Sequence, residues 1–212
     1  MKVRDSVTAL LFDWDGTLFD SALPGYAAFE RTFSDLGVAF TREFYETNYS
    51  PNWYSMYETL GLQEERWKHA DALWLEHYGQ QPPVLVEGAR ETLNEIHTRG
   101  YRLGIVSSGS YCRVSREIET LGISEWFDVV ICNEDTTNKK PHPEGLEMAM
   151  TRMNAARSSC SYVGDAPEDI QMGKSASVLT VAVRSAYPSS RNLASSDPDI
   201  LIECISDLLL HF

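Results

Sequence analysis

Two aspartates one residue apart, Asp13 and Asp15, stand where an apolar run gives way in LLFDWDGTLFDS, the segment from Leu10 to Ser21. Carboxylates at the end of a buried strand can attack, exchange a proton or hold a cation. Three further apolar runs also end in polar residues. Ser107, Ser108 and Gly109 follow one, and Asp135 through Lys140 follow the next. Gly164 and Asp165 follow the third, with Asp169 four residues on. Asp13, Asp15 and Asp165 brought together would crowd three carboxylates, and like charges at that range raise a pKa or destabilise the fold. A divalent cation removes the conflict, and oxygen-only ligands favour a hard ion such as magnesium (Mg2+). Lys140 adds a positive charge and Ser107 a hydroxyl, while the amides of Ser108 and Gly109 would add donors at a helix start. A cation, a lysine and amide donors together describe a site for phosphoryl chemistry.

The elements that would position these residues are legible as short apolar runs. VTALLF (Val7 to Phe12), YRLGIV (Tyr101 to Val106), DVVIC (Asp128 to Cys132), CSYV (Cys160 to Val163) and VLTVAV (Val178 to Val183) fit buried strands. DILI near Asp199 is a short sixth. Helical patterns lie between them. ARETLNEIHTRG and CRVSREIETLG close on Gly100 and Gly122 as C-cap glycines, and PEGLEMAMTRMN and PEDIQMGKSA open on Pro143 and Pro167. Continuous apolar strands alternating with helices predict an α/β fold with a mostly parallel sheet covered on both faces. Ligands of such sheets bind beyond the carboxyl ends of the strands, where the polar sets fall.

From Phe19 to about Pro83 that rhythm breaks. FERTFSDLG, FYETNYSPNWYSMYETLG and EERWKHADALWLEHYG read as successive amphipathic helices. Their aromatics, Trp53, Tyr54, Tyr57, Trp67, Trp74 and Tyr78, read as the core of a small helical unit. QPPVLVEG, Gln81 to Gly88, reads as the return connection, and SAYPSSRNLASSDPD as a polar loop.

Composition narrows the function classes. The 212 residues, 43% hydrophobic, suffice for one domain with an insert. Eighteen Lys and Arg against 31 Asp and Glu leave a formal charge of -13, which repels nucleic acid phosphates and anionic lipid. An anionic small molecule is repelled too, so its site needs local positive charge, which Lys140 supplies. Cys112, Cys132, Cys160 and Cys204 form no CxxC pair, and the last three lie in or beside apolar segments. They read as reduced, mostly buried thiols of a cytoplasmic protein. The N-terminal stretch lacks a signal-peptide apolar region, and no run approaches membrane-spanning length.

FDWDGTLFDS, VSSGS from Val106, KKPHPEG around Lys140 and GDAPEDI from Gly164 occur in that order. Together they resemble the four motifs of the haloacid dehalogenase-like (HAD) hydrolase superfamily, in its phosphoglycolate-phosphatase-like branch. The resemblance covers nearly the whole chain. It implies a Rossmann-like three-layer parallel sheet core, residues 1–18 and 84–212, with a helical cap subdomain, residues 19–83, inserted after the first strand. It implies Asp13 as the nucleophile that forms an aspartyl-phosphate. Asp15 becomes the acid that protonates the leaving oxygen and then the base that activates water. Ser107 and Lys140 become the phosphate-binding pair, helped by the amides of Ser108 and Gly109. Asp165 becomes a magnesium ligand beside the Asp13 carboxylate and the Asp15 carbonyl, with Asp169 in or next to that metal site. Gly16 would allow the sharp backbone path after the aspartates, and Thr17 would hold it by a hydrogen bond.

An acid at position 15 favours phosphoesters over halides, since a halide leaves without a proton. The expected protein is a magnesium-dependent phosphomonoester hydrolase for a small phosphorylated metabolite, monomeric or homodimeric. The alternatives are a phosphomutase of the beta-phosphoglucomutase type, a phosphonate hydrolase with Lys68 supplying the amine, and a phosphate-binding regulatory protein without turnover. Substrate choice would fall to the cap and its facing loops. Arg42, Arg66, Lys68, His69 and Arg113 could meet a second anionic group, although each reads more simply as a solvent-facing charge. Tyr26, Asn52, Trp53 and Tyr57 are pocket candidates on the same terms.

Overall fold

The computed structural model describes residues 6–50, 53–80 and 82–212. Asn52 and Gln81, and the N-terminal stretch before residue 6, lie outside them. The chain divides into two compact units, one running to Asp20 and resuming at Pro83, the other spanning Ser21–Pro82.

The first unit holds six strands: β1 (Ala9–Phe12), β2 (Arg102–Val106), β3 (Phe127–Ile131), β4 (Cys160–Gly164), β5 (Leu179–Val183) and β6 (Ile200–Ile202). They form one sheet in the order β3-β2-β1-β4-β5-β6, with every neighbouring pair parallel. This is the doubly wound order of a Rossmann-like sheet. Strand β1 lies inside the sheet, between β2 and β4, and is buried throughout: Ala9, Leu10, Leu11 and Phe12 are all buried. Leu10 pairs with Leu103 and Phe12 with Ile105, all buried on one face. The opposite face carries Leu11, Val106, Ile131 and Tyr162, packed with Leu146, Ala149, Met150 and Met172. The sheet is therefore covered on both sides, giving three layers.

The helices of the second unit are α1 (Ala22–Asp35), α2 (Arg42–Asn48), α3 (Tyr54–Thr59) and α4 (Trp67–Tyr78). The stretch expected as one central helical segment is thus two short helices, α2 and α3. Helix α1 packs on α4. Phe29 meets Phe33, Phe40, Tyr45, Trp53 and Trp74, and Trp74 stacks on Tyr78 at 4.5 Å. The unit therefore has an aromatic core of its own. Tyr57 belongs to that core, fully buried with its hydroxyl 3.2 Å from Asp71 Oδ1, and not to a pocket wall. The unit's cations face solvent: Arg42, Arg66, Lys68 and His69 are exposed, Arg42 paired with Glu46 and Arg66 bonded to the Leu36 carbonyl.

The first unit's helices are α5 (Ala89–Thr98), α6 (Tyr111–Leu121), α7 (Glu144–Arg152) and α8 (Pro167–Ala176). Pro167 opens α8 as expected, whereas Pro143 sits one residue ahead of α7. The chain leaves and rejoins this unit through one ribbon. Phe19 bridges to Leu85 in antiparallel fashion, the Asp20 amide donates to the Val84 carbonyl, and the Val86 amide donates to the Leu18 carbonyl.

Two expectations near the C-terminus need correction. The segment expected to be a polar loop contains a 3-10 helix over Pro188–Ser196. Cys204 is exposed, as is Cys112, while Cys132 and Cys160 are buried; all four are free thiols. Among the described residues no helix is long and apolar enough to cross a membrane.

The edge strand β6 is only three residues long and is held by side chains as well as by its ladder. Asp199 Oδ2 accepts from both the amide and the hydroxyl of Thr180, and the Thr180 hydroxyl accepts from the Asp199 amide. Thr180→Val keeps the shape, the β-branching and the amide bond but removes the two bonds made by the hydroxyl. We expect it to cost about 1–2 kcal/mol of stability, measured as a lowered urea midpoint with unchanged m-value.

Candidate active site

Asp13 sits one residue past β1, where its amide makes a further ladder bond to the Val163 carbonyl. Asp165 sits one residue past β4 and Ser107 one residue past β2. Asp169 lies in the first turn of α8, where its Oδ2 accepts from the Ala166 amide at 3.0 Å. Asp13, Asp165 and Asp169 are all buried, and one oxygen of each lies within 4.8 Å of the others. Lys140 reaches into this group and donates to Asp13 Oδ1 at 2.5 Å and Asp169 Oδ1 at 2.8 Å. Its own loop is pinned. Glu144 accepts from the amides of Thr137 and Asn138, and Lys139 donates to the carbonyls of Asn133 and Thr136.

Among the described residues, three carboxylates against one ammonium leave an excess of negative charge in a buried place. Burial above all, then the proximity of Asp169 and Asp15, pushes the Asp13 carboxyl up to about 7 against the pull of Lys140. Burial and the neighbouring Asp13 and Asp169 hold Asp165 well above the usual carboxylate range. Burial works against the Lys140 ammonium, but Asp13 and Asp169 outweigh it and raise its pKa. Clustered oxygen donors with uncompensated charge suit a hard divalent cation, and Asp13, Asp165 and Asp169 could hold one.

Two hydroxyls orient Asp165. Thr17 donates to Oδ1 at 3.2 Å, and Ser185, two residues past β5, donates to Oδ2 at 2.6 Å. Thr17 thus acts on the carboxylate across the site as well as standing in its own turn. Gly16 adopts φ +83°, and a Cβ there would lie 2.4 Å from Asp165 Oδ2, so the backbone passes where no other residue fits. The turn is closed by the Gly16 amide donating to the Phe19 carbonyl.

The Asp15 carboxylate is not in the cluster. It faces Arg113, which donates from Nη1 to Oδ1 at 3.0 Å and from Nη2 to Oδ2 at 2.5 Å. Arg113 is therefore neither a solvent-facing charge nor an open anion receptor, since its side chain is only 10% exposed. The same guanidinium meets Glu117, which also accepts from Trp14 Nε1 at 2.8 Å. In the Ser107 loop, the Ser107 hydroxyl accepts from the Gly109 amide at 2.9 Å. That amide, expected as a ligand donor, is engaged within the loop. Ser108 is exposed.

Sequence reasoning misses Ser185, Tyr162 and the partners of Asp15. The Tyr162 hydroxyl lies 3.2 Å from Asp169 Oδ1 and 3.1 Å from the Val106 carbonyl, and Lys140 lies over its ring at 5.5 Å. The one signal for Ser185 is its place just after a strand, like Asp13, Ser107 and Asp165.

A parallel sheet in doubly wound order, with acidic and basic side chains converging at the ends of its strands, defines a Rossmann-like α/β protein with a strand-end site. Residues 10–183 match the model of the haloacid dehalogenase-like hydrolases. The chain is 33% identical over 215 residues to the pyrophosphatase PpaX of Listeria monocytogenes serotype 4b, covering 96% of this chain and 95% of that one. It is 30% identical over 237 residues to the phosphoglycolate phosphatase of Salmonella typhi, covering 99% and 94%. A Haemophilus somnus 129pt structure described as a predicted phosphoglycolate phosphatase superposes with a TM-score of 0.87 at 21% identity, covering 97% of both chains. The chain belongs to the haloacid dehalogenase-like hydrolase family, in the branch that resembles phosphoglycolate phosphatase, and is an enzyme of that general type.

The raised carboxyls predict a pH signature. Between 3.8 and about 7 the folded protein holds a proton on Asp13 that the unfolded chain releases. This contribution to the stability of the cation-free protein is therefore fully present below that window and is lost as pH rises through it. A divalent cation offsets the repulsion in the ionised state. In EDTA, Tm should fall between about pH 5 and about pH 8, and added magnesium should raise it more at the higher pH.

Proposed function

We propose that this protein is a magnesium-dependent phosphomonoester hydrolase that acts on a small phosphorylated metabolite through an aspartyl-phosphate intermediate. The observation that carries this reading is the Asp13 carboxylate, held by Lys140 beside Asp165 and Asp169, with Asp15 on the same short turn. Asp13 attacks phosphorus while the bond to the leaving oxygen breaks, and Asp15 delivers a proton to that oxygen. Asp15, now ionised, takes a proton from water as the water attacks the acyl phosphate, which frees phosphate and restores Asp13. Lys140 and the Ser107 hydroxyl hold the transferring oxygens, and Thr17 and Ser185 keep Asp165 oriented. Magnesium held by Asp13, Asp165, Asp169 and the Asp15 carbonyl would supply electrostatic stabilisation of the phosphoryl group.

The four-helix unit, as an insert into the core, is proposed to select the substrate. The names of the relatives order the trials: phosphoglycolate, a monoester, and pyrophosphate, an anhydride that the same steps would cleave, come first, each a small, multiply charged anion. The two buried free thiols support a cytoplasmic setting.

Phosphate release should be measured across a phosphometabolite panel headed by those two compounds, with magnesium and with EDTA. Release is expected only with magnesium, and Asp13→Asn should lower kcat by at least about a thousandfold, the scale of removing a nucleophile. Release that persists in Asp13→Asn would exclude Asp13 as the nucleophile.

A further inference from the structure

The Asp15 carboxylate is the acid of the proposed reaction, yet its two oxygens are both taken by one guanidinium. The pairing is built by the fold. Arg113 is in the first turn of α6, and its Nη2 lies where a Cβ on Gly109 would sit, 2.4 Å away. Any side chain at position 109 would push the guanidinium off. Glu117, one turn further along α6, is only 3% exposed and meets Arg113 Nη1 at 3.1 and 3.3 Å. Glu117 is itself fixed by the indole of Trp14, a fully buried residue between the two aspartates. Arg113 therefore has two carboxylate partners, one anchored and one on the turn that carries the reaction.

We propose that Arg113 is a positioning residue for Asp15: it holds the carboxylate apart from the Asp13, Asp165 and Asp169 cluster and aims it, while Glu117 keeps the guanidinium partnered whenever Asp15, having taken a proton from solvent, turns to deliver it to the leaving oxygen. Without Arg113, Asp15 would be a fourth negative group beside three buried ones, with no fixed direction. Without Glu117, release of Asp15 would take both carboxylates from a cation that is 10% exposed, which is costly. The anchored second partner makes the exchange possible.

This inference rests on the phosphatase reading, and leaving-group dependence tests it. Wild type, Arg113→Gln and Arg113→Lys would be assayed on aryl phosphates ranging from dinitrophenyl to phenyl. A proton at the leaving oxygen matters little for dinitrophenolate and greatly for phenolate. We expect Arg113→Gln to lose roughly a hundredfold in kcat on phenyl phosphate and less than about threefold on the dinitrophenyl ester, the selectivity of a lost general acid. Arg113→Lys should recover part of the phenyl phosphate rate, because it restores charge without the fork. An equal loss on every ester, or no loss on any, would overturn the proposal.

If wild type cleaves no aryl ester and releases no phosphate from the metabolite panel either, the phosphatase reading fails on its own account. The pairing is then decided by unfolding of Asp15→Asn, Arg113→Gln and the double variant. A double variant that loses less Tm than the singles combined supports the coupling, and strict additivity overturns it. Should Arg113→Gln not fold, Arg113→Lys serves in both experiments, with a smaller loss expected.

Discussion

Everything at this site follows from one electrostatic constraint: carboxylates are gathered at the ends of buried strands with too few cations to neutralise them. Asp13, Asp165 and Asp169 share a volume that a single ammonium, that of Lys140, enters. Such an arrangement is expensive in a folded protein unless it serves a ligand of opposite charge. The surrounding structure acts as a set of devices that hold the arrangement in place. Thr17 and Ser185 donate to Asp165, the Ala166 amide donates to Asp169, and Glu144 and Lys139 tie down the loop that carries Lys140. None of these groups supplies net positive charge to the cluster; they fix direction and leave the charge to be met from outside.

Asp15 escapes the same crowding by a different route. Its carboxylate is two residues from Asp13, yet a guanidinium on α6 draws it to another set of partners. The alternation along the turn has a steric basis: Trp14 between the two aspartates is wholly buried, stacked on Phe19 at 5.2 Å. With that residue anchored, the flanking side chains project into different surroundings. A pair of like residues in sequence thus becomes a pair of unlike groups in space, which a mechanism with two separate carboxylate tasks requires.

Much of this is legible in the order of residues alone. Apolar runs that stop at Asp13, Ser107 and Asp165 mark strand ends directly, because the hydrophobic pattern and the polar break occur in the same few residues. The sheet order then brings those ends together. What is not legible lies in contacts that no local pattern encodes. Arg113 and Glu117 are spaced as an ordinary exposed i,i+4 pair, and only the fold brings Asp15 to them from far along the chain. Ser185 sits in a polar run whose composition suggests a loop, and nothing in that composition separates a hydroxyl aimed at Asp165 from one facing water. The exposure of Cys204 escapes for a related reason, since an apolar neighbourhood in sequence does not fix which way one side chain points. Tyr162 reads as strand core, which it is, while its hydroxyl also reaches the site.

The ribbon formed by residues 18–20 and 84–86 has a consequence for how this architecture can change. Both ends of the helical insert leave from adjacent, mutually hydrogen-bonded backbone, so the insert occupies the position of a hairpin loop. Replacing it with a longer, shorter or unrelated segment alters the entropy of one closure, a cost that grows only with the logarithm of length. The sheet, its register and the strand-end carboxylates need not respond. Innovation in what the protein recognises and preservation of how it reacts can thus proceed on separate stretches of one gene, with the ribbon as the joint between them.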